Sequence, residues 1–238
     1  MTPSPVKEWA LNKGIDVLTP EKLRDEALIA ELKNTDWDFF LVASYGKILP
    51  RTMLDIPSHG CVNIHPSLLP KFRGPSPFLS AILADERQTG VSLMCMEEKM
   101  DAGPILAQAR IEIDESDWPP QGHVLGQMLF SEGGSLLAEI LERWLSGNLT
   151  PEIQDELAAT YTRKFTDEDA RLDLSGDPRA NFLKIRAFDH GPRAYYMQDG
   201  MRVIVTAASW VDGKLIIERV IPEGKKEIPF EEFSRQNR

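Results

Sequence analysis

Cysteine, histidine and tyrosine are scarce in this chain of 238 residues, which holds two, four and four of them. Cys61 and Cys95 lie far apart inside apolar runs, in no CxxC or Cys/His pattern. That excludes a disulfide framework and a zinc finger and leaves two reduced, buried thiols. His59, His123 and His190 have no partners at metal-ligand spacing along the chain, so no metal is expected. The glycines form no GxGxxG or GxxxxGK[ST] loop, and no serine lies in a GxSxG elbow, so neither a nucleotide-binding motif nor that nucleophile motif is present. No stretch approaches the roughly 18 uninterrupted apolar residues of a membrane span. The first residues lack the basic start, apolar middle and small-residue cleavage site of a secretory leader. A cytoplasmic protein without a membrane partner is the resulting expectation. Basic residues are also in deficit: the net charge is −10, carried by residues 1–180, while 181–238 is slightly basic. Charge alone gives no argument for a nucleic-acid partner, which would need clustered Lys and Arg.

What is present reads as strands alternating with helices. The spacing predicts a helix over 6–13 ended by Gly14, a strand at 15–18, a helix over 25–32 and a strand at 38–44. The run "DFFLVAS" at 38–44 has the composition of a strand covered on both faces. Then come the strand "CVNIH" at 61–65, a Pro-rich loop to residue 77, a helix over 78–84, strands at 89–96 and 104–113, and a long amphipathic helix over 122–145. This is the pattern of an α/β layered domain. Residues 151–178 are polar and poor in helix signals. A helix is predicted from about Arg179, followed by three strand-like segments separated by "QDG" and "DGK" turn signals. The organisation expected is a domain over 1–150, a linker or bridging segment over 151–178 and a small β-rich domain over 179–238.

Chemistry concentrates at the end of one strand. Asn63 and His65 are two apart, so they share a face, at the carboxyl end where open α/β sheets bind ligands. An amide donor and an imidazole together could hold a carbonyl oxygen as it becomes an oxyanion. The same two residues also fit a structural use, with Asn63 satisfying loop backbone and His65 a hydrogen-bonded core histidine. Asp101, in "EKMDAGPI", is either a turn residue or a carboxylate near His65; within about 4 to 6 Å it would raise the imidazole's pKa and favour the charged form. Lys71 and Arg73 read as a solvated loop face or as contacts for an anionic substrate. Met94, Met96 and Met100 read as core or pocket lining.

Taken together, Asn63-Ile64-His65, Ser67-Leu68-Leu69-Pro70 and Met100-Asp101-Ala102-Gly103 resemble, in order and separation, the motifs of the folate-dependent formyltransferase superfamily. Further segments, "YGKILP", "LLPKFRGPSP", "YTRKFTDEDARLD" and "IRAFDHGPRAYY", are similar to the members that act on aminoacyl-tRNA. The resemblance covers residues 3 to about 197. It implies a Rossmann-like domain with a mostly parallel sheet, followed by a β-rich, OB-like C-terminal domain. It also implies transfer of the formyl group of 10-formyltetrahydrofolate, without a metal, to the amino group of methionine on initiator tRNA. Asn63 and a protonated His65 would stabilise the oxyanion, Asp101 would support His65 and relay protons, and Ser67, Leu68, Leu69 and Pro70 would line the folate side of the cleft. Members that formylate an amino sugar share the same three residues. In the family a strand, a Gly-containing loop and a helix precede "PSPVK", including a basic loop that helps grip tRNA. Here the expectation is therefore an incomplete sheet with an open edge and a shortened C-terminal domain, as in a fragment from a miscalled start or a partner-dependent paralogue. A complete chain is expected to be a monomer.

Overall fold

A computed structural model describes residues 3–236. Helix α1 (Pro5–Asn12) starts where the Ser4 side chain accepts a hydrogen bond from the Lys7 N–H, with proline in its first turn, and Gly14 follows it at φ 69°. Helix α2 (Glu26–Lys33) is capped in the same way by Asp25, whose side chain accepts from the Leu28 N–H. Between them the predicted strand at 15–18 does not form. The Ile15 N–H donates back to the Ala10 carbonyl, and Ile15 and Leu18 are about half exposed. A strand exists only where another strand takes up its backbone, and among the described residues no strand pairs with these four.

Strand β1 (Phe40–Ala43) leads to a single helical turn, α3 (Arg51–Leu54), then to β2 (Cys61–His65), α4 (Pro77–Leu83), β3 (Thr89–Cys95), β4 (Ile105–Ile111) and the long α5 (Gly122–Leu145). The sheet runs in the order β1-β2-β3-β4. The α/β architecture is as expected, but the sheet is mixed: β1 and β2 are parallel, while β2–β3 and β3–β4 are antiparallel. The last pair is joined by a loop of residues 96–104, too short for the crossover a parallel pair requires. β1 is not covered on both faces. It lies at the sheet edge with Leu41 48% exposed, beside an open apolar groove of about 310 Å³ lined by Leu18, Leu23, Leu41, Tyr45 and Leu49 among others. No helix among the described residues is long and apolar enough to cross a membrane.

The face of α5 that carries Leu125, Leu129, Leu136, Ile140 and Trp144 packs on β2, β3 and β4. The segment 151–177 is not a free linker. It crosses the surface as an extended strap with two short 3-10 turns, bridging β4 at Ile105–Glu152, the loop after β2 at Arg73–Tyr161, and Tyr195 at Arg171. Helix α6 (Pro178–Ala187) lies between α4 on one side and the second sheet on the other. That sheet is a meander of β5 (Tyr195–Gln198), β6 (Met201–Val211), β7 (Lys214–Pro222) and β8 (Ile228–Pro229), all antiparallel, followed by α7 (Phe230–Gln236). Four strands are too few to close a barrel. The OB-like expectation is thus met by an open β-rich sheet, and β8 and α7 add to the three strands predicted. Val62, Leu93 and Leu137 belong to the same buried core as Ile185, Val203 and Phe233, so hydrophobic contact is continuous from the first sheet to the last helix.

Asp85, just past α4, joins α4 to α6. Its carboxylate accepts two hydrogen bonds from Arg179 (3.1 and 2.8 Å) and one from the Trp118 indole N–H (2.7 Å). The Arg179 hydrogen bonds hold the Asp85 pKa below its ordinary value. A depressed carboxylate contributes stability above its unfolded pKa and loses it as the pH falls through the folded one. We therefore expect Asp85→Asn to cost about 1 to 2 kcal/mol in urea unfolding at pH 7, the pair being partly exposed. The difference from the parent should begin to shrink as the pH falls below about 4, the ordinary carboxyl value, and close only below the depressed folded pKa.

Candidate active site

β2 delivers Asn63 and His65 to the same side of the sheet, because alternate residues of a strand project alike. Their surroundings differ. The Asn63 side chain is half-buried and makes no hydrogen bond within the described residues, leaving its amide for a ligand. Its use in satisfying loop backbone is thereby excluded. His65 is 3% exposed, and its Nε2 lies 3.0 Å from the Phe72 carbonyl. A carbonyl only accepts, so Nε2 carries the hydrogen and Nδ1 faces Asp101, whose Oδ2 is 3.8 Å away.

That separation brings Asp101 next to His65, as the sequence suggested, but the expected electrostatic result is reversed. Burial lowers the His65 pKa, and the Asp101 charge and the Phe72 carbonyl, which both raise it, do not overcome that. Burial thus favours the neutral form of the imidazole over the protonated one. Excluding water from a cation costs more here than a carboxylate beyond hydrogen-bonding distance returns.

Asp101 has a left-handed backbone (φ 50°) and is held from two directions. Its Oδ2 accepts from the Gly74 N–H at 2.7 Å. Its carbonyl accepts from Gln154 Nε2 at 3.0 Å, and the same amide nitrogen donates to the Gly103 carbonyl at 2.7 Å. Gly103 must be glycine, since a Cβ there would come within 1.9 Å of the Cys95 carbonyl oxygen. Gln154 Oε1 in turn accepts from Arg73 Nε (3.0 Å) and Nη2 (2.9 Å). Arg73 is fully buried, donates to the Tyr161 hydroxyl at 3.2 Å and pairs with Glu156 at 3.0 Å. It is not a solvated loop face, and the guanidinium is engaged by protein partners. Lys71, by contrast, is half-exposed and paired with Glu86.

The Ser67–Pro70 loop is built equally firmly. The Ser67 hydroxyl donates to the Lys71 carbonyl (2.7 Å), and the Ser92 hydroxyl donates to the Ser67 carbonyl (2.7 Å) while accepting from the Leu69 N–H (3.0 Å). Gln108 adds a bond to the Leu69 carbonyl. Ser67 and Leu69 are therefore buried scaffold, and only Leu68 and Pro70 keep partial exposure with which to line a cleft. Met94 is in the core, Met96 is half-buried against the second apolar cluster, and Met100 stands 59% exposed.

Sequence reasoning missed Gln154, Thr160 and Thr162. Thr160 supplies its hydroxyl to the Phe72 N–H (2.8 Å), and Thr162 its hydroxyl to the Ser76 N–H (3.2 Å). All three sit in the strap, and no local motif marks them. Their only signal is a polar run too poor in helix and strand patterning to be an element of its own.

A sequence profile for the formyl transferase family matches residues 1–121. The chain is 36% identical to the methionyl-tRNA formyltransferase of Bacillus licheniformis, over 99% of this chain and 81% of that protein. It is 39% identical to the enzyme of the same name from Roseiflexus castenholzii, over 98% and 81%. Among solved structures, HypX from Aquifex aeolicus in complex with tetrahydrofolic acid superposes with a TM-score of 0.67 at 20% identity, covering 87% of this chain and 39% of that one. A sugar N-formyltransferase from Shewanella sp. FDAARGOS_354 superposes with 0.67 at 23% identity, covering 85% and 80%. At such identities the superpositions speak for the fold alone.

Two outcomes check this geometry. Gln154→Ala strands two carbonyls and part of a buried guanidinium, and should cost about 3 kcal/mol of unfolding free energy. For His65, an imidazole NMR titration should show it neutral to a pH below the ordinary value of about 6.5, and lower still in Asp101→Asn. Below that ordinary value the unfolded chain binds a proton that the folded one does not, so His65 subtracts stability as the pH falls.

Proposed function

The chain belongs to the formyl transferase family, and we propose that it transfers the formyl group of 10-formyltetrahydrofolate to the amino group of methionine on initiator tRNA. The observation that carries the reading is near-complete coverage by methionyl-tRNA formyltransferases at 36 and 39% identity, supported by Asn63 and His65 on one face of β2 and Asp101 3.8 Å from His65. The sugar N-formyltransferase shares only the fold at its level of identity, so an amino-sugar acceptor is the second reading. We assign the acceptor chemistry and the site to residues 1–150 with the bridging segment 151–178 closing it, treat 179–238 as the accessory domain, and place the reaction in the cytoplasm.

The folate co-substrate supplies an activated formyl carbon bound to nitrogen. The amine attacks that carbon, the carbonyl electrons move to oxygen, and collapse of the tetrahedral adduct breaks the bond to the folate nitrogen. Asn63 fits the first need, because its amide N–H groups are unpartnered at the ligand-binding end of the sheet and can meet the oxyanion. One such donor contributes roughly 3 to 4 kcal/mol. Asp101, 18% exposed, is the base closest to the chemistry and takes the proton that the attacking amine sheds, directly or through a water. His65 is neutral at rest. As negative charge grows on the oxyanion and Asp101 takes its proton, the pair can share that proton at Nδ1 and return it to the departing nitrogen. Leu68 and Pro70 supply the apolar wall for the folate, with Ser67 and Leu69 holding the loop's shape.

With 10-formyltetrahydrofolate as donor, the purified protein should formylate Met-tRNA and leave amino-sugar nucleotides unchanged. Activity only on the sugar would replace the acceptor assignment. Asn63→Ala and Asp101→Asn should each lower kcat at least tenfold with the thermal midpoint little changed. Full activity in Asp101→Asn would remove that carboxylate from the mechanism.

A further inference from the structure

Far from the strand end, His123, the second residue of α5, meets Asp189 and His190, which follow α6. We propose that these three side chains form a binding site for a divalent transition-metal ion, with Zn²⁺ the best match to two imidazoles and one carboxylate. Their ligand atoms all lie within 4.8 Å of one another. A tetrahedral zinc with ligands at about 2.0 to 2.1 Å needs ligand atoms about 3.3 Å apart. His190 Nδ1 is already 3.4 Å from Asp189 Oδ2. His123 Nδ1 is in direct hydrogen-bond contact with the same oxygen, a shared proton that an incoming cation would displace.

The carboxylate is oriented in advance. Asp189 Oδ1 accepts from the His123 backbone N–H at 3.2 Å, which leaves Oδ2 for the two imidazoles. A backbone donor of this kind fixes the geometry of a metal ligand. The elements approach closely enough because residue 122 is glycine: a Cβ there would lie 2.5 Å from the Ala187 carbonyl oxygen. The two rings have centroids 4.7 Å apart and tilt by 46°, and His190 is exposed enough to adjust. Arg186, anchored through Nε to the Pro119 carbonyl at 2.8 Å, interacts with the Asp189 charge and tempers the attraction for a cation. Three protein ligands leave a fourth position to water. Such an ion would tie the start of α5 to the segment between α6 and β5, a cross-link between the first sheet's main helix and the C-terminal unit.

The test uses the full chain with any affinity tag removed. Calorimetric titration with Zn²⁺ should give one site per chain, Mg²⁺ should give none, and Co²⁺ should produce the visible absorption of a four-coordinate ion. His190→Ala, an exposed position that should keep the metal-free thermal midpoint, and His123→Ala should each weaken Zn²⁺ binding at least tenfold. Zn²⁺ should also raise the thermal midpoint of the parent but not of His190→Ala. Absence of Zn²⁺ binding, equal binding of Mg²⁺, or Zn²⁺ affinity unchanged in both histidine variants would overturn the assignment.

Discussion

The structure of the candidate site depends on one buried side chain, the guanidinium of Arg73. A charge removed from water must be compensated on every side, and Arg73 is compensated by Gln154 through two hydrogen bonds, by Tyr161 and by Glu156. All three partners come from the strap that follows α5. Gln154 then spends its other end on the carbonyls of Asp101 and Gly103. Satisfying one cation therefore ties together the loop after β2, the loop after β3 and a segment that looks like a linker. A carboxylate on a left-handed residue in a nine-residue loop would otherwise sample many orientations. Here its place is set by hydrogen bonds from Gly74 and Gln154.

The same logic explains why the ends of the sheet differ in firmness. β2, β3 and β4 are covered by α5, and their loops are closed by the strap. β1 has neither, and its apolar residues line an open groove. An edge strand without charge, proline or bulge invites pairing with another chain. The polar strand end that carries Asn63 and His65 is one strand in from that edge, so the site is rigid on the side of Asp101 and open on the side of β1.

Much of this was legible in the sequence. The strand ending in Asn63 and His65, the long amphipathic α5, the loop bearing Asp101 and the three strands β5 to β7 follow from periodicity and turn residues, which are local. What was not legible depended on partners distant in sequence. "IDVL" has strand composition but no strand beside it, and "DFFLVAS" has the composition of a central strand but stands at the edge. Arg73 reads as a surface cation until Gln154, 81 positions later, is placed against it. His123 and His190 look isolated because the 66 positions between His123 and Asp189 are bridged only by the packing of α5 on α6. The direction of the His65 pKa was not legible for a related reason: sequence suggests the neighbouring carboxylate but says nothing about how completely water is excluded.

That neutral histidine suits the proposed chemistry. When a neutral amine adds to a neutral formyl group, the adduct carries a positive nitrogen and a negative oxygen. A site holding a cationic imidazole would stabilise the oxygen and repel the nitrogen. In the proposed mechanism a neutral His65 lets the two ends be met separately, the negative one by the Asn63 amide and the positive one by the Asp101 carboxylate. A neutral imidazole opposes neither end, and of the two charges that form, the negative oxygen is the one that raises its affinity for a proton. Burial of His65, which looks like a loss of catalytic charge, is on this argument what allows a single site to serve both ends of a zwitterionic adduct.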